Sequence, residues 1–98
     1  MIIISGTWTI QEDKLEEAKV AFILAQDASS AEDGCISYRF FQDLEDPTLF
    51  RLFEEWETQD ALPAHNESSH MADFRAKQPN FVAGKDLNRY EVGSYGKL

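Results

Sequence analysis

Phe53-Glu54-Glu55-Trp56-Glu57-Thr58-Gln59-Asp60-Ala61-Leu62, with His65 and His70 close behind, is where the chain reveals its architecture. The stretch closes a strand. From Thr48 to Glu57, Phe50, Leu52, Glu54 and Trp56 alternate with Leu49, Arg51, Phe53 and Glu55, which is the period-two spacing of β structure. The stretch then opens a helix: Thr58 is placed as an N-cap and Asp60 puts negative charge in the first turn. Pro63 removes a backbone donor and crowds the preceding turn, so one continuous helix is not expected. The spacing predicts a short helical piece, a break, and a second piece from Ser68 or Ser69 to Lys77, ended by Gln78-Pro79-Asn80.

The neighbouring segments extend this pattern in both directions. Asp46-Pro47 marks a tight turn, and Cys35 to Asp43 before it reads as a strand, with Ile36, Tyr38 and Phe40 on one face. The two strands on either side of that turn form an antiparallel hairpin. Both faces of the hairpin carry large apolar side chains, whereas a sheet wet on one side alternates more cleanly. Both faces therefore need cover: helices for one, and a second copy of the sheet as the candidate for the other. Ile2 to Ile10 is β-branched and aromatic and reads as the first strand. Leu15, Ala18, Phe22 and Ala25 recur at helical spacing and predict a helix from about Glu12 to Ala28. Lys85 to Val92 is the last strand. The order β-α-β-β-α-β is the split-βαβ, ferredoxin-like arrangement of an α+β fold with an antiparallel sheet.

Length and composition bound the function. Ninety-eight residues suit one domain, residues 1–98 with its core in 2–92. The hydrophobic fraction of 43% suits a folded chain. A net charge of −9 argues against nucleic acid and against anionic membrane surfaces, which both demand clustered Lys and Arg. The single cysteine, Cys35, forms no internal disulfide, which fits a reducing, cytoplasmic setting. The opening Met1-Ile2-Ile3-Ile4 is too short and lacks a basic flank for a signal peptide, and no run reaches transmembrane length.

Glu32-Asp33-Gly34-Cys35-Ile36-Ser37-Tyr38, Glu54-Glu55-Trp56, Ala61-Leu62, His65, Ser68 or Ser69, and His70 together resemble the antibiotic biosynthesis monooxygenase family. The resemblance covers the chain from Ile2 to about Val92. It implies a homodimer whose sheets pack face to face as a dimeric α+β barrel, with a ligand cavity between sheet and helices of each subunit. It further implies a cofactor-independent monooxygenase that oxidises a quinol or polycyclic phenol, a small aromatic molecule, with molecular oxygen and neither metal nor flavin. That chemistry is physically economical. A deprotonated quinol itself donates an electron to oxygen, so the protein must bind it, remove a proton and exclude water.

The candidate site follows. His65 has the residue type of a general base, because imidazole titrates near neutral pH; the alternative is a helix-packing histidine. The resemblance makes Trp56 a catalytic-site wall. Tyr38, Leu52, Glu54, Leu62 and His70 are the candidate substrate contacts, although His70 also suits a solvated or capping role. If Glu54 is buried, its carboxylate needs a partner, with Arg39, Arg51 or Arg89 as candidates. His65, His70 and the nearby acids match no recognised zinc spacing, so no metal is expected. Some oxygenase members carry a polar amide where Leu52 stands and a tyrosine near Leu62. Haem-degrading relatives use an asparagine on the first strand, and Ile2 to Ile10 has none. Two other functions fit the same scaffold: an isomerase or lyase on a small polar metabolite, which requires arginines to converge on the cavity, and a ligand-binding dimer without catalysis.

Overall fold

The computed structural model describes residues 1–98. In chain order it contains β1 (Ile2–Ile10), α1 (Leu15–Ser30), β2 (Cys35–Gln42), β3 (Leu49–Trp56), α2 (Ala61–Glu67), α3 (Ser69–Lys77) and β4 (Val82–Glu91), with 3-10 turns at Glu12–Lys14 and Gln78–Asn80. All strand pairs are antiparallel and the sheet order is β2-β3-β1-β4. This is the ferredoxin-like α+β arrangement that the sequence pattern predicts.

The register places Ile2 opposite Trp56, Ile4 opposite Glu54, Gly6 opposite Leu52 and Trp8 opposite Phe50. Tyr38 and Phe40 continue the same face across from Glu54 and Leu52. The helices cover this face. Ala18, Ala21 and Ala25 let α1 approach the sheet closely, and Phe22 fills the space between them. Its ring stacks on Phe40 at 3.9 Å between centroids and meets Trp8 edge-on at 5.7 Å. Met71 and Phe74 close the layer from α3. Full burial of a ring like Phe22 stabilises the fold by about 1.5–3 kcal/mol.

The opposite face of the sheet carries Ile3, Phe53, Phe41 and Tyr90 among polar residues, and the last two are 57% and 51% exposed. The helices therefore cover one of the two apolar faces that the hairpin predicts. No helix is long and apolar enough to cross a membrane.

The structure corrects four local expectations. The first helix starts as a 3-10 turn and runs on to Ser30. The second helical piece runs over Ser69–Lys77 as the spacing predicts, but the break before it is made by Ser68 and not by Pro63. Pro63 is the third residue of α2, where the N–H has no intrahelical partner to lose. The Thr58 side chain makes no cap; its carbonyl accepts the Ala61 N–H at 3.4 Å instead. A register shift between Cys35 and Ser37 turns Ile36 outward, 51% exposed and off the Tyr38 face.

Candidate functional site

The turn between α1 and β2 holds the residue on which the site depends. Glu32 donates its N–H to the Ser29 carbonyl at 3.1 Å, Cys35 donates to the Glu32 carbonyl at 3.2 Å, and Glu57 donates to the Gly34 carbonyl at 2.8 Å. Gly34 has φ +82°, and a Cβ there would lie 2.8 Å from the Ala61 Cβ. Only glycine meets both demands, so Gly34 lets this turn press against the start of α2. The Glu32 side chain is thereby delivered beneath the junction of α2 and α3.

Two histidines meet it there. Glu32 Oε2 lies 2.6 Å from His65 Nδ1, and Glu32 Oε1 lies 3.0 Å from His70 Nε2. On a continuous helix, residues five apart point about 140° away from each other and could not share a carboxylate. The break at Ser68, with extended ψ 150°, swings α3 so that they do. Ser68 holds the break: its hydroxyl donates to the His65 carbonyl at 2.7 Å and accepts the Met71 N–H at 3.4 Å.

His65 is only 4% exposed, and burial lowers its pKa, with the Glu32 bond pulling the other way. An ionised carboxylate only accepts, so the neutral ring carries its proton on Nδ1 and donates to Glu32. Nε2 is then the nitrogen with the free lone pair. The ring lies 4.8 Å from Trp56 and 5.6 Å from Tyr38 between centroids.

A cavity of about 220 Å³ lies between the sheet and the helices. Ile4, Trp8, Leu52 and Leu87 line it from the strands, and Met71 and Phe74 from α3. Tyr38, Glu54 and His65 are its buried titratable groups, while Asn66, Arg75 and Lys85 line its exposed end. The Lys85 ammonium sits 5.0 Å from the centre of the Trp8 ring, a cation–π distance.

Glu54 is buried without an arginine, contrary to expectation. Its Oε1 accepts the Trp56 indole N–H at 2.9 Å. Arg51 bonds Ser5 at 3.2 Å, and Arg89 bonds Gln59 at 2.8 Å and Glu91 at 3.2 Å. Burial pushes the Glu54 carboxyl up to about 7; the Trp56 bond opposes this and the Glu32 charge adds to it. Burial also raises the Tyr38 hydroxyl, keeping it a neutral donor, and raises the Cys35 thiol to about 11. Cys35 is therefore a poor thiolate at neutral pH.

Of the residues singled out in the sequence, the structure brings Tyr38, Leu52, Glu54 and His65 to one cavity. Trp56, fully buried, stands behind the lining, against His65 and Glu54 rather than on the surface. Leu62 is core. His70 borders a different groove, between α1 and α3, with Ala21, Ala25, Asp73 and Lys77. Two residues went unread as site residues. Glu32 is one, because nothing in its turn-forming neighbourhood advertises a partner 33 residues away. Trp8 is the other: it lines the cavity, and its Nε1 is the one buried side-chain polar atom with no hydrogen-bond partner. A strand tryptophan reads as core, and only packing distinguishes the two roles.

A family model described as antibiotic biosynthesis monooxygenase matches residues 1–77. An uncharacterised Synechocystis protein, sll1783, is 32% identical over 82 residues, 84% of this chain and 56% of that protein. The chain thus spans about half the length of that relative. YcnE of Bacillus subtilis, provisionally named a monooxygenase, is 29% identical over 93 residues, 94% of this chain and 98% of that one. Among solved structures, a provisionally named antibiotic biosynthesis monooxygenase from Deinococcus radiodurans superposes with a TM-score of 0.92 at 22% identity, covering 100% of this chain and 98% of that one. That likeness shows the fold. A second, from Nitrosomonas europaea, gives 0.89 at 25% identity and covers 96% and 100%.

Proposed function

The chain belongs to the antibiotic biosynthesis monooxygenase family, and from that premise we propose that it oxidises a quinol or related electron-rich phenol with molecular oxygen, without a cofactor, as a homodimer. The observation that carries this reading is the 2.6 Å bond between Glu32 and His65, which orients a buried imidazole at a largely apolar cavity with Nε2 free to accept a proton.

The chemistry closes without an external reductant. A phenol ring loses two hydrogens and gains one oxygen atom, and the second oxygen atom leaves as water. His65 Nε2 takes the phenolic proton, and the phenolate is the electron donor. Glu54, with a carboxyl near neutrality, gives and takes protons as the reduced oxygen species forms and breaks. Size selects the ring. A 220 Å³ cavity lies below the roughly 300–1,000 Å³ of drug-sized sites and above the ~150 Å³ that holds benzene, so it favours a single substituted ring over a polycycle. The homodimer would use the outer sheet face, where Ile3, Phe41, Phe53 and Tyr90 lie.

Oxygen uptake with a panel of hydroquinones and naphthols tests the reading. Uptake above autoxidation, lost in His65→Ala, is the expected result. A wild-type rate equal to autoxidation across the panel, or a His65→Ala rate equal to wild type, would sink it.

A second reading, an isomerase or lyase on a small polar metabolite, draws on Arg75 and Lys85 at the cavity's open end. It needs several arginines to converge there. Only Arg75 does, which is why the oxidation reading ranks first.

A further inference from the structure

We propose that Glu32, His65 and His70 form a binding site for a divalent transition-metal ion such as Zn²⁺, and that filling it switches the cavity histidine off as a base. The binding claim stands apart from the oxidation reading. The switching claim rests on that reading.

The donor set is two imidazoles and one carboxylate, which suits zinc and its first-row neighbours. It is assembled from three separate segments: the turn after α1, the last turn of α2 and the first turn of α3. One ligand atom from each residue lies within 4.8 Å of the other two. A tetrahedral site with bonds of about 2.1 Å places its ligand atoms about 3.4 Å apart. The contacts of 2.6 and 3.0 Å run to the two oxygens of one carboxylate, so side-chain torsions must bring one oxygen and both ring nitrogens, now within 4.8 Å of one another, to that spacing. Burial is graded in the useful direction: His65 is enclosed, while Glu32 and His70 are 18% and 28% exposed in their side chains. The ion thus has an entry path and room for a water as fourth ligand. The chain's charge of −9 draws cations towards it. Arg75 is the nearby opposing charge, and its guanidinium is held on the Asn66 carbonyl at 2.8 Å.

The consequence lies in the tautomer. In the metal-free protein the carboxylate holds the His65 proton on Nδ1 and leaves Nε2 as an acceptor at the cavity. An ion bound through Nδ1 requires that nitrogen's lone pair, so the proton moves to Nε2. The same ring then presents a donor where a base is required. The ion therefore acts from outside the cavity, through a ring that reaches both.

Calorimetry on chelator-treated protein, titrated with Zn²⁺ in the absence of any substrate, tests the binding claim. The expected result is one ion per chain, weakened about tenfold or more by His70→Ala and by Glu32→Gln, with unchanged circular dichroism for both variants. His70 is partly exposed, so its loss should leave the fold intact. Nitrogen-15 NMR of the imidazoles supplies a readout independent of activity: Zn²⁺ should shift His65 Nδ1 and His70 Nε2 and move the His65 proton to Nε2. No stoichiometric binding, or binding that survives both substitutions, overturns the site. If wild type shows oxygen uptake, stoichiometric Zn²⁺ should abolish it, and His70→Ala should resist inhibition. Uptake that persists in the zinc-loaded protein overturns the switch and leaves the oxidation reading standing.

Discussion

Glu32 Oε2 and His65 Nδ1 stand 2.6 Å apart although 33 residues separate them in the chain. The bond joins the turn that leaves α1 to the last turn of α2. It sets the tautomer and the direction of the only imidazole that lines the cavity between sheet and helices.

Under the proposed oxidation, Glu32→Gln should therefore damage catalysis more than stability. The amide can still accept from Nδ1–H, but it supplies no charge to stabilise an imidazolium. The rate of oxygen-dependent quinol consumption should fall by about 10²-fold, towards that of His65→Ala. Urea melts should show a much smaller change. Equal rates for Glu32→Gln and wild type would remove Glu32 from the site.

Glu54 makes stability depend on pH. Its folded carboxyl is raised to about 7 from an ordinary value near 4.5. Its contribution is thus fully present below about 4.5 and is lost as pH rises through about 7. A shift of that size corresponds to on the order of 3 kcal/mol. Glu54→Gln should flatten this dependence and be the more stable protein at pH above about 7. Thermal melts of both proteins across that window check it.

Trp56 acts on Glu54 through one hydrogen bond. Because the indole N–H favours the ionised carboxylate, Trp56→Phe should raise the Glu54 pKa further. Carbon-13 NMR of the labelled carboxyl measures this directly. A pKa that stays the same or falls would show that the bond contributes nothing to the charged form.

Trp8 is a donor without a partner inside the protein. Trp8→Phe should be close to neutral in chemical denaturation, since the loss of ring area is offset by removing an unsatisfied N–H. It should weaken binding of ligands that present a carbonyl or phenolate oxygen. A large loss of stability with unchanged ligand affinity would make Trp8 purely structural.

The outer sheet face should be a subunit interface. Phe53→Arg places charge among Ile3, Phe41 and Tyr90 and should convert a dimeric mass to a monomeric one by light scattering. A monomeric wild type at micromolar concentration contradicts the proposed dimer.

Much of the fold was legible because it rests on local periodicity. The alternation of Phe50, Leu52, Glu54 and Trp56 with Leu49, Arg51, Phe53 and Glu55 separated the two faces of β3, and Leu15, Ala18, Phe22 and Ala25 named the buried face of α1. The turn chemistry of Asp46-Pro47 placed the hairpin connection. Details that depend on a partner strand or on exact backbone dihedrals were not legible. The bulge that turns Ile36 outward is one, and the tolerance of Pro63 inside α2 is another.

The sequence by itself determined the order of elements, the division of the hairpin strands into two faces and the presence of a tryptophan and two histidines near the strand-to-helix junction. Tertiary structure alone decided what those residues do. It hid Trp56 behind the cavity and assigned it to Glu54. It gave His65 to the cavity and His70 to another groove, and it joined both to Glu32. The physical reason is that periodicity reports which side of its own element a residue faces. A shared carboxylate depends on how three separate backbones are placed, and here a single extended residue, Ser68, sets that placement.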